Sequence, residues 1–247
     1  IKSVGPMQTL FLMGAAFLVI ICLCFIPFRY PEDGWKPAGW TPPAAAAGKA
    51  TDFNMAEMSR TPTFWGLFLC YTIGCLAGLM AIGISSPVGQ EIIKIPAATA
   101  ATLVGVFAIF NGVGRPLFGV LTDKLTARNA ALISFVIILV ASLGMLTAKE
   151  GDMMMYVICF IGFWLVLGGW LAIAPTATTT FFGVKNYARN YGLVFFAYGV
   201  GAILGGLISG AAKDTFGSYA IAFYPTAGLA VLGMIIAFVM MKPPRKA

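Results

Sequence analysis

The stretch VGVFAIFNGVGRPLFGVLTDKLTAR, residues 104–128, determines how the rest of the sequence is interpreted. It is an apolar helical pattern that ends in a polar turn, and one arginine, Arg115, interrupts the apolar run. Arg115 precedes Asp123 by eight residues, which is roughly 12 Å of helix, whereas half of a bilayer's hydrocarbon core is about 15 Å. The sequence therefore predicts that Arg115 lies near a membrane midplane, where a charge is costly and by default functional.

Two neighbours of Arg115 support this interpretation. Asn111 lies four residues earlier and therefore shares a helix face with Arg115. Pro116 removes a backbone donor, so one carbonyl is freed to face a cavity. The alternative is that Arg115 extends to the nearer interface and has no binding role. The distance to that interface and the presence of Asn111 favour a cation that lines a water-filled cavity and receives an anion.

The composition indicates an integral membrane protein with several spans. The chain has 247 residues, of which 60% are hydrophobic and 10% charged, and its mean hydropathy is +0.90. No histidine is present, so the commonest metal ligand and near-neutral proton carrier is missing. The five cysteines fall inside apolar segments and are expected to pack as small hydrophobic residues. We expect no metal and no cofactor.

Seven apolar segments of spanning length are predicted. A polar, proline-containing stretch at 29–63 separates the first two and is expected to be a flexible linker. The other loops are short, so successive spans are expected to be antiparallel neighbours. The predicted spans are residues 8–28, 64–90, 97–122, 130–148, 153–182, 191–212 and 219–241.

The distribution of basic residues predicts the orientation in the membrane. Eleven of the 16 Lys and Arg residues lie on the linker side, four lie on the other side, and Arg115 is the remaining one. This asymmetry places the linker and the basic tail, residues 242–247, in the cytoplasm, with the tail facing anionic lipid. The net charge of +7 thus reflects membrane topology, and no nucleic-acid partner is expected.

Three spans carry polar and small residues and are expected to face the interior: the third, the fifth and the sixth. Phe195 and Tyr198 share a face of the sixth span, and either core packing or cavity lining explains them. Trp170 lies near the middle of the fifth span, where it could pack on a bound ligand. In the sixth span, Gly201 and Gly205, and likewise Gly206 and Gly210, have the spacing that allows helix backbones to approach closely.

Several motifs resemble the major facilitator superfamily. GVLTDK at 119–124, followed by Arg128, is similar to the loop signature that joins two adjacent helices of that family on the cytoplasmic side. More specifically, the chain resembles the oxalate/formate antiporters and the related monocarboxylate porters. The segments that carry this closer resemblance are NGVGRP at 111–116, RTPTFW at 60–65 and YARNYG at 187–192.

The resemblance implies an all-α transporter fold of two six-helix halves joined by a cytoplasmic linker. Residues 1–28 would then be the last helix of the amino-terminal bundle, 29–63 the linker, 64–241 the six-helix carboxyl-terminal bundle and 242–247 a cytoplasmic tail. The rest of the amino-terminal half would be a partner in the same transporter. In a bacterium the location would be the inner membrane.

The resemblance also implies roles for individual residues. In these families the arginine at the position of Arg115 binds the substrate carboxylate. The monocarboxylate porters have an aspartate implicated in proton coupling where this chain has Asn111, which cannot carry a proton. The oxalate antiporter has a second cation where this chain has Tyr198. One arginine with a tyrosine hydroxyl suits a monoanion such as lactate or pyruvate.

The sequence thus predicts a secondary transporter of small monocarboxylates, coupled to protons and working by alternating access. Arg115, Asn111, Tyr198, Phe195 and Trp170 are the candidate substrate-binding residues. The charged turn, with Asp123, Lys124 and Arg128, is expected to lock a helix contact during gating, although a plain solvated turn would also explain it. An organic anion antiporter and a seven-helix receptor are the alternatives. The sequence does not predict an enzyme, because no acid pair, histidine or metal-binding spacing is present.

Overall fold

The computed structural model describes residues 5–29, 32, 35, 38–39 and 52–244. All regular secondary structure in this part of the chain is helical. The elements are α1 (Pro6–Phe25), α2 (Met55–Ser59), α3 (Pro62–Glu91), α4 (Ala97–Leu125), α5 (Ala127–Thr147), α6 (Met153–Phe182), α7 (Tyr187–Phe216), a 3₁₀ turn (Tyr219–Ala222) and α8 (Phe223–Met240).

The helices confirm the number and order of the predicted spans. Within the described residues, seven helices are long and apolar enough to cross a membrane. The largest boundary difference is at the sixth span, predicted at 191–212 and observed as Tyr187–Phe216 in α7. That span extends further because its polar first and last turns continue the same helix beyond the apolar region. The free cysteines among these residues, three of them buried, agree with the expected packing role.

The chain divides into two compact units, Ile1–Gly48 and Lys49–Ala247. The first unit contains α1, a 20-residue apolar helix with no buried residue. The second contains α2 to α8. Most of the predicted linker, together with residues 245–247 of the tail, lies outside the described residues.

The end of the predicted linker is folded, which differs from the expectation that this stretch is flexible. Residues 52–60 belong to the second unit, and α2 begins at an Asn54–Glu57 capping box. Phe53 is only 3% exposed and packs edge-on against Phe182, with ring centroids 5.8 Å apart. Two buried side chains, Phe53 and Met58, hold this segment to the bundle. Two apolar positions are too few to produce a helical periodicity, so the sequence pattern did not predict the segment.

Close backbone contacts organise the second unit into helix pairs. The most extensive pairings are α4 with α6, α3 with α7 and α5 with α8. In α7, a Cβ atom on Gly201 would lie 2.7 Å from the Thr72 carbonyl oxygen, and one on Gly205 would lie 2.8 Å from that of Leu76. This confirms the predicted packing role of Gly201 and Gly205.

The second predicted glycine pair, Gly206 and Gly210, does not form a helix contact in this structure. Nothing lies within 4 Å of a Cβ built at either residue. The two pairs lie on different faces of α7, and only the face with Gly201 and Gly205 meets α3. Spacing alone could not distinguish them, because both have the same four-residue interval.

Burial differs strongly between the helices of the second unit. The central helices are α3 and α6, whereas α4 and α7 have the smallest buried share of the long helices in this unit. The expectation that the fifth span faces the interior agrees with the position of α6. The third and sixth spans, α4 and α7, leave only some of their polar and small residues, among them Arg115, Gly192 and Gly199, on an exposed face of this chain. That exposed face carries the candidate site.

Candidate functional site

Arg115 lies on the exposed face of α4 because of its helical position beside Gly114. Gly114 is buried and faces the carbonyl oxygen of Leu165 in α6. The next residue along a helix points about 100° away, so the Arg115 side chain is directed off the α4–α6 contact and is exposed. The helix continues through Pro116 to Leu125. The arginine is therefore held on a rigid element and remains free to meet a ligand.

Asn111 lies one turn before Arg115 and is attached to α6. Its Nδ2 atom donates a hydrogen bond to the main-chain oxygen of Trp164, at 3.2 Å. The side chain is partly buried. The bond uses one of the two N–H groups and leaves the other N–H and the carbonyl oxygen for a ligand. Asn111 thus combines a structural contact with a remaining hydrogen-bonding capacity next to the arginine.

Phe195 and Tyr198 of α7 are the aromatic residues of the candidate site. Tyr198 is half-buried, and the positive charge of Arg115 is close enough to act on its hydroxyl group. The Phe195 and Tyr198 rings stack almost in parallel, with centroids 5.3 Å apart and 6° between their planes. With Gly192, Phe196 and Gly199 they line a shallow cavity of about 250 Å³. The structure therefore pairs Phe195 with Tyr198 on α7 and leaves Tyr198 within range of the Arg115 charge, while Asn111 lies one turn from Arg115 on α4.

Trp170 is not on this surface, which corrects the expectation that it packs directly on a ligand. It is fully buried, and its ring stacks on Tyr71 of α3, with centroids 5.8 Å apart. Gly74 makes room for the indole, because a Cβ there would overlap it. Depth along the helix placed Trp170 at the right level of the membrane, but depth does not specify which face of α6 it occupies.

Tyr71 is the residue of this region that the sequence analysis missed. It is fully buried, and its ring lies 6.3 Å from Phe195 and 6.5 Å from Tyr198, measured between centroids. Tyr71 therefore lies between Trp170 and the exposed aromatic pair and can transmit packing from one to the other. A tyrosine next to a threonine in the middle of an otherwise apolar span was the available signal.

Arg115 has no acidic partner within the described part of the chain. The single ion pair there joins Lys213, in the last turn of α7, to Glu91, the last residue of α3. Arg115 itself forms no ion pair or hydrogen bond with the described residues. A cation in this position is costly when unpaired. The arrangement is therefore suited chemically to receive a carboxylate from outside this bundle.

The charged turn lies at the end of α4, away from the Arg115 region. Asp123, Lys124 and Arg128 line a cavity of about 480 Å³ at that end of the bundle. The Arg128 guanidinium lies over the Phe238 ring of α8, 5.7 Å from its centroid. None of the three forms an ion pair with the described residues. Nor do the described residues contain a group of three potential metal ligands among His, Cys, Asp and Glu.

A comparison with known sequences gives the family. The sequence profile of the Major Facilitator Superfamily matches two overlapping regions, residues 1–181 and 90–247. The chain belongs to the Major Facilitator Superfamily. It is thus part of a multi-pass integral membrane protein with a transporter fold, which decides against the seven-helix receptor alternative.

Named relatives within this superfamily agree with the motifs. The chain is 31% identical to the oxalate:formate antiporter of Oxalobacter formigenes over 221 residues, covering 88% of this chain and 50% of that protein. It is 30% identical to the uncharacterized transporter YhjX of Escherichia coli over 205 residues, covering 82% and 49%. It is 27% identical to monocarboxylate transporter 9 of Rattus norvegicus over 196 residues, covering 76% and 37%. The chain spans about half the length, or less, of these relatives.

Proposed function

We propose that the complete transporter containing this chain carries small monocarboxylates, of the size of lactate or pyruvate, across a membrane by alternating access and with proton coupling. Its localisation would be the inner membrane if the organism is bacterial. The linker and the tail would face the cytoplasm. The other bundle of the same transporter would form the second wall of the substrate cavity.

The unpaired Arg115 is the observation that carries this proposal. It is an exposed cation on a mostly apolar helix, its charge acts on Tyr198, and it has no carboxylate partner in the described residues. A planar guanidinium can grip both oxygens of a carboxylate, which a lysine ammonium cannot do. Arg115 would therefore hold the substrate carboxylate, and Asn111 and Tyr198 would donate hydrogen bonds to it. Phe195 would shape the apolar side.

The charge at the site favours a monoanion. Arg115 provides one positive charge, and Tyr198 adds a hydroxyl donor instead of a second cation. A dicarboxylate bound there would keep one negative charge unbalanced in a low-dielectric region, which is costly. The apolar Phe195 ring, 43% exposed, suits the methyl group of a lactate-like acid. Trp170 would contribute indirectly, by supporting Tyr71 behind the Phe195–Tyr198 pair.

Substrate binding would change the relative stability of the conformational states. The empty carrier keeps an unpaired arginine, which prefers a hydrated, open cavity. The loaded carrier has a neutralised pair, which tolerates an occluded cavity that excludes water. This difference in interaction free energy is what a ligand needs to shift a conformational equilibrium. The turn with Asp123, Lys124 and Arg128 would gate the end of the cavity by forming different contacts in the two states.

The residue that carries the proton would not be Asn111, because an amide does not titrate. Proton coupling would then depend on the part of the transporter outside this chain, or on the substrate–Arg115 pair itself. An organic anion antiporter is the second candidate. The similarity to the oxalate:formate antiporter favours it, whereas the single cation at the site favours the monocarboxylate transporter.

The test is uptake of radiolabelled lactate by the complete transporter in proteoliposomes, with and without an imposed pH gradient. We expect Arg115→Ala to abolish uptake and Arg115→Lys to retain only a small part of it. Lys149→Gln, which removes an exposed loop charge, is the matched control and should transport normally. Normal uptake by Arg115→Ala would refute the proposal. Uptake that requires an oxalate or formate counter-substrate and ignores the pH gradient would favour the antiporter.

A further inference from the structure

A cavity at the end of the bundle lies outside the Arg115 region, and its lining includes the proposed gating turn with Asp123, Lys124 and Arg128. Its volume is about 480 Å³, and its walls come from four places: the end of α4, the start of α5, the last turns of α6 and the chain after α8. We call it the basic-end pocket. It is lined by Thr122, Asp123, Lys124, Leu125, Thr126, Ala127, Arg128, Thr176, Thr180, Phe181, Met241, Lys242 and Pro243.

The basic-end pocket carries a net positive charge. Lys124, Arg128 and Lys242 are its three bases, and Asp123 is its one acid. These bases form no ion pair with the described residues, so their charges are available to a ligand. The face of the Arg128 guanidinium rests on the Phe238 ring. That contact leaves the N–H groups at the edge of the guanidinium free to donate.

The bases are held by separate anchored elements, which gives the pocket a defined shape. The Thr63 hydroxyl donates a 2.7 Å hydrogen bond to the main-chain oxygen of Lys242 and thereby fixes the chain after α8 to the start of α3. Thr126 has a φ of 114°, an unfavourable value for a residue with a Cβ atom. Its hydroxyl accepts a hydrogen bond from the Asn129 main-chain N–H, so the tight turn between Lys124 and Arg128 is stabilised.

The two kinds of side chain in this pocket match a phosphate group on an apolar anchor. Guanidinium, ammonium and threonine hydroxyl groups all donate to phosphate oxygens. Leu125, Phe181 and Met241 provide apolar wall beside them. The pocket lies where transmembrane helices end, which is the level of lipid headgroups. Cytoplasmic membrane surfaces carry anionic lipid, and the predicted orientation places this end there.

We propose that the basic-end pocket binds the phosphate of an anionic phospholipid headgroup, with Arg128, Lys124 and Lys242 as the main contacts. A soluble phosphate ion or ester would use the same contacts, so the two sources share one chemistry. Binding here would join the α4–α5 turn to the chain after α8 and restrict the movement of both. The inference does not depend on which substrate Arg115 binds, since the pocket shares no residue with that region.

The test uses the complete transporter, purified and stripped of lipid, and counts bound phosphatidylglycerol by native mass spectrometry. We expect one phosphatidylglycerol to bind more tightly than phosphatidylcholine, and Lys242→Gln to weaken its binding about tenfold, the effect of losing a charge-assisted hydrogen bond. Lys242→Arg keeps the charge and should retain the lipid. Lys149→Gln, at the other end of the bundle, is the matched control and should behave as the wild type.

The source of the phosphate is decided by a second arm with inorganic phosphate. If inorganic phosphate displaces the lipid from the wild type, both sources reach the site. If Lys242→Gln weakens the binding of inorganic phosphate but leaves lipid binding unchanged, soluble phosphate is the ligand. The proposal is overturned if neither probe binds, or if Lys242→Gln and Lys149→Gln bind both probes as the wild type does. Melting temperatures of the variants without lipid identify any change that is due to misfolding.

Discussion

The side chain of Asn111 donates a hydrogen bond to the main-chain oxygen of Trp164, and this bond ties α4 to α6 one turn before Arg115. Two glycines allow the approach. Gly114 packs against the Leu165 carbonyl, and Gly168 packs against the carbonyl of Asn111 itself. The α4–α6 pair is therefore held by backbone contacts on both sides of the bond. Asn111 is fixed in position before any ligand arrives.

The first prediction concerns the charge at Asn111. In Asn111→Asp, a carboxylate replaces a donor that faces the Trp164 carbonyl, and it lies one turn from Arg115, where it competes with the substrate carboxylate. We expect a rise of at least about tenfold in the half-saturation concentration of lactate uptake, since a like charge within a few ångströms costs more than 1 kcal/mol. Asn111→Ala loses only a neutral hydrogen bond, worth about 1 kcal/mol, and should be affected less. Equal effects of the two variants would contradict the competition argument.

The second prediction concerns substrate charge. Tyr198→Lys places a second cation beside Arg115, and two cations suit a dianion. We expect the ratio of oxalate uptake to lactate uptake to rise in this variant, measured with labelled acids in proteoliposomes. Phe196→Lys adds the same charge at a neighbouring position that is 69% exposed and provides the matched control. A ratio that rises equally in both lysine variants would show that the position of Tyr198 is not specific.

The third prediction concerns the α4–α6 contact. Gly114→Ala forces a Cβ atom against the Leu165 carbonyl oxygen, which belongs to a helix backbone and cannot move without shifting α6. Overpacking of this kind costs about 1–3 kcal/mol, so we expect a clearly lower melting temperature for the purified protein. Gly228→Ala on α8 meets no atom within 4 Å and should leave the melting temperature unchanged or slightly higher. Identical melting temperatures for the two variants would mean that α4 and α6 are further apart than described.

The fourth prediction concerns the folded segment before α3. The Phe53 main-chain oxygen accepts hydrogen bonds from Asn186 and Asn190, at 3.0 Å and 2.9 Å, and its ring is buried against Phe182. Phe53→Ala should therefore release residues 52–60, because removing a buried phenylalanine costs about 3–5 kcal/mol. Limited proteolysis should then cleave this segment much faster. Met55→Ala, at a site 47% exposed, is the control; equal cleavage of both variants would contradict the docking of Phe53.

Length and hydropathy were sufficient to predict the membrane spans. The seven spans were predicted in the right order because an apolar run of about 20 residues has few alternatives in a bilayer. The sequence does not predict that residues 52–60 fold onto the bundle, nor that Gly206 and Gly210 make no helix contact in this structure. Whether these residues pack depends on which helix surface faces them in the folded chain, and neither hydrophobic periodicity nor residue spacing contains that information.

For the candidate site, the sequence by itself determined the chemistry: one arginine without an acidic neighbour in an apolar helix, with an amide one turn before it. The tertiary structure decided the arrangement. It placed Tyr198 of a distant helix within range of the Arg115 charge, buried Trp170 against Tyr71 and left the arginine on an exposed face. The physical reason is that hydropathy fixes how deep a residue lies in the membrane, whereas its rotation about the helix axis is set by packing, here by glycines that bring particular backbones together.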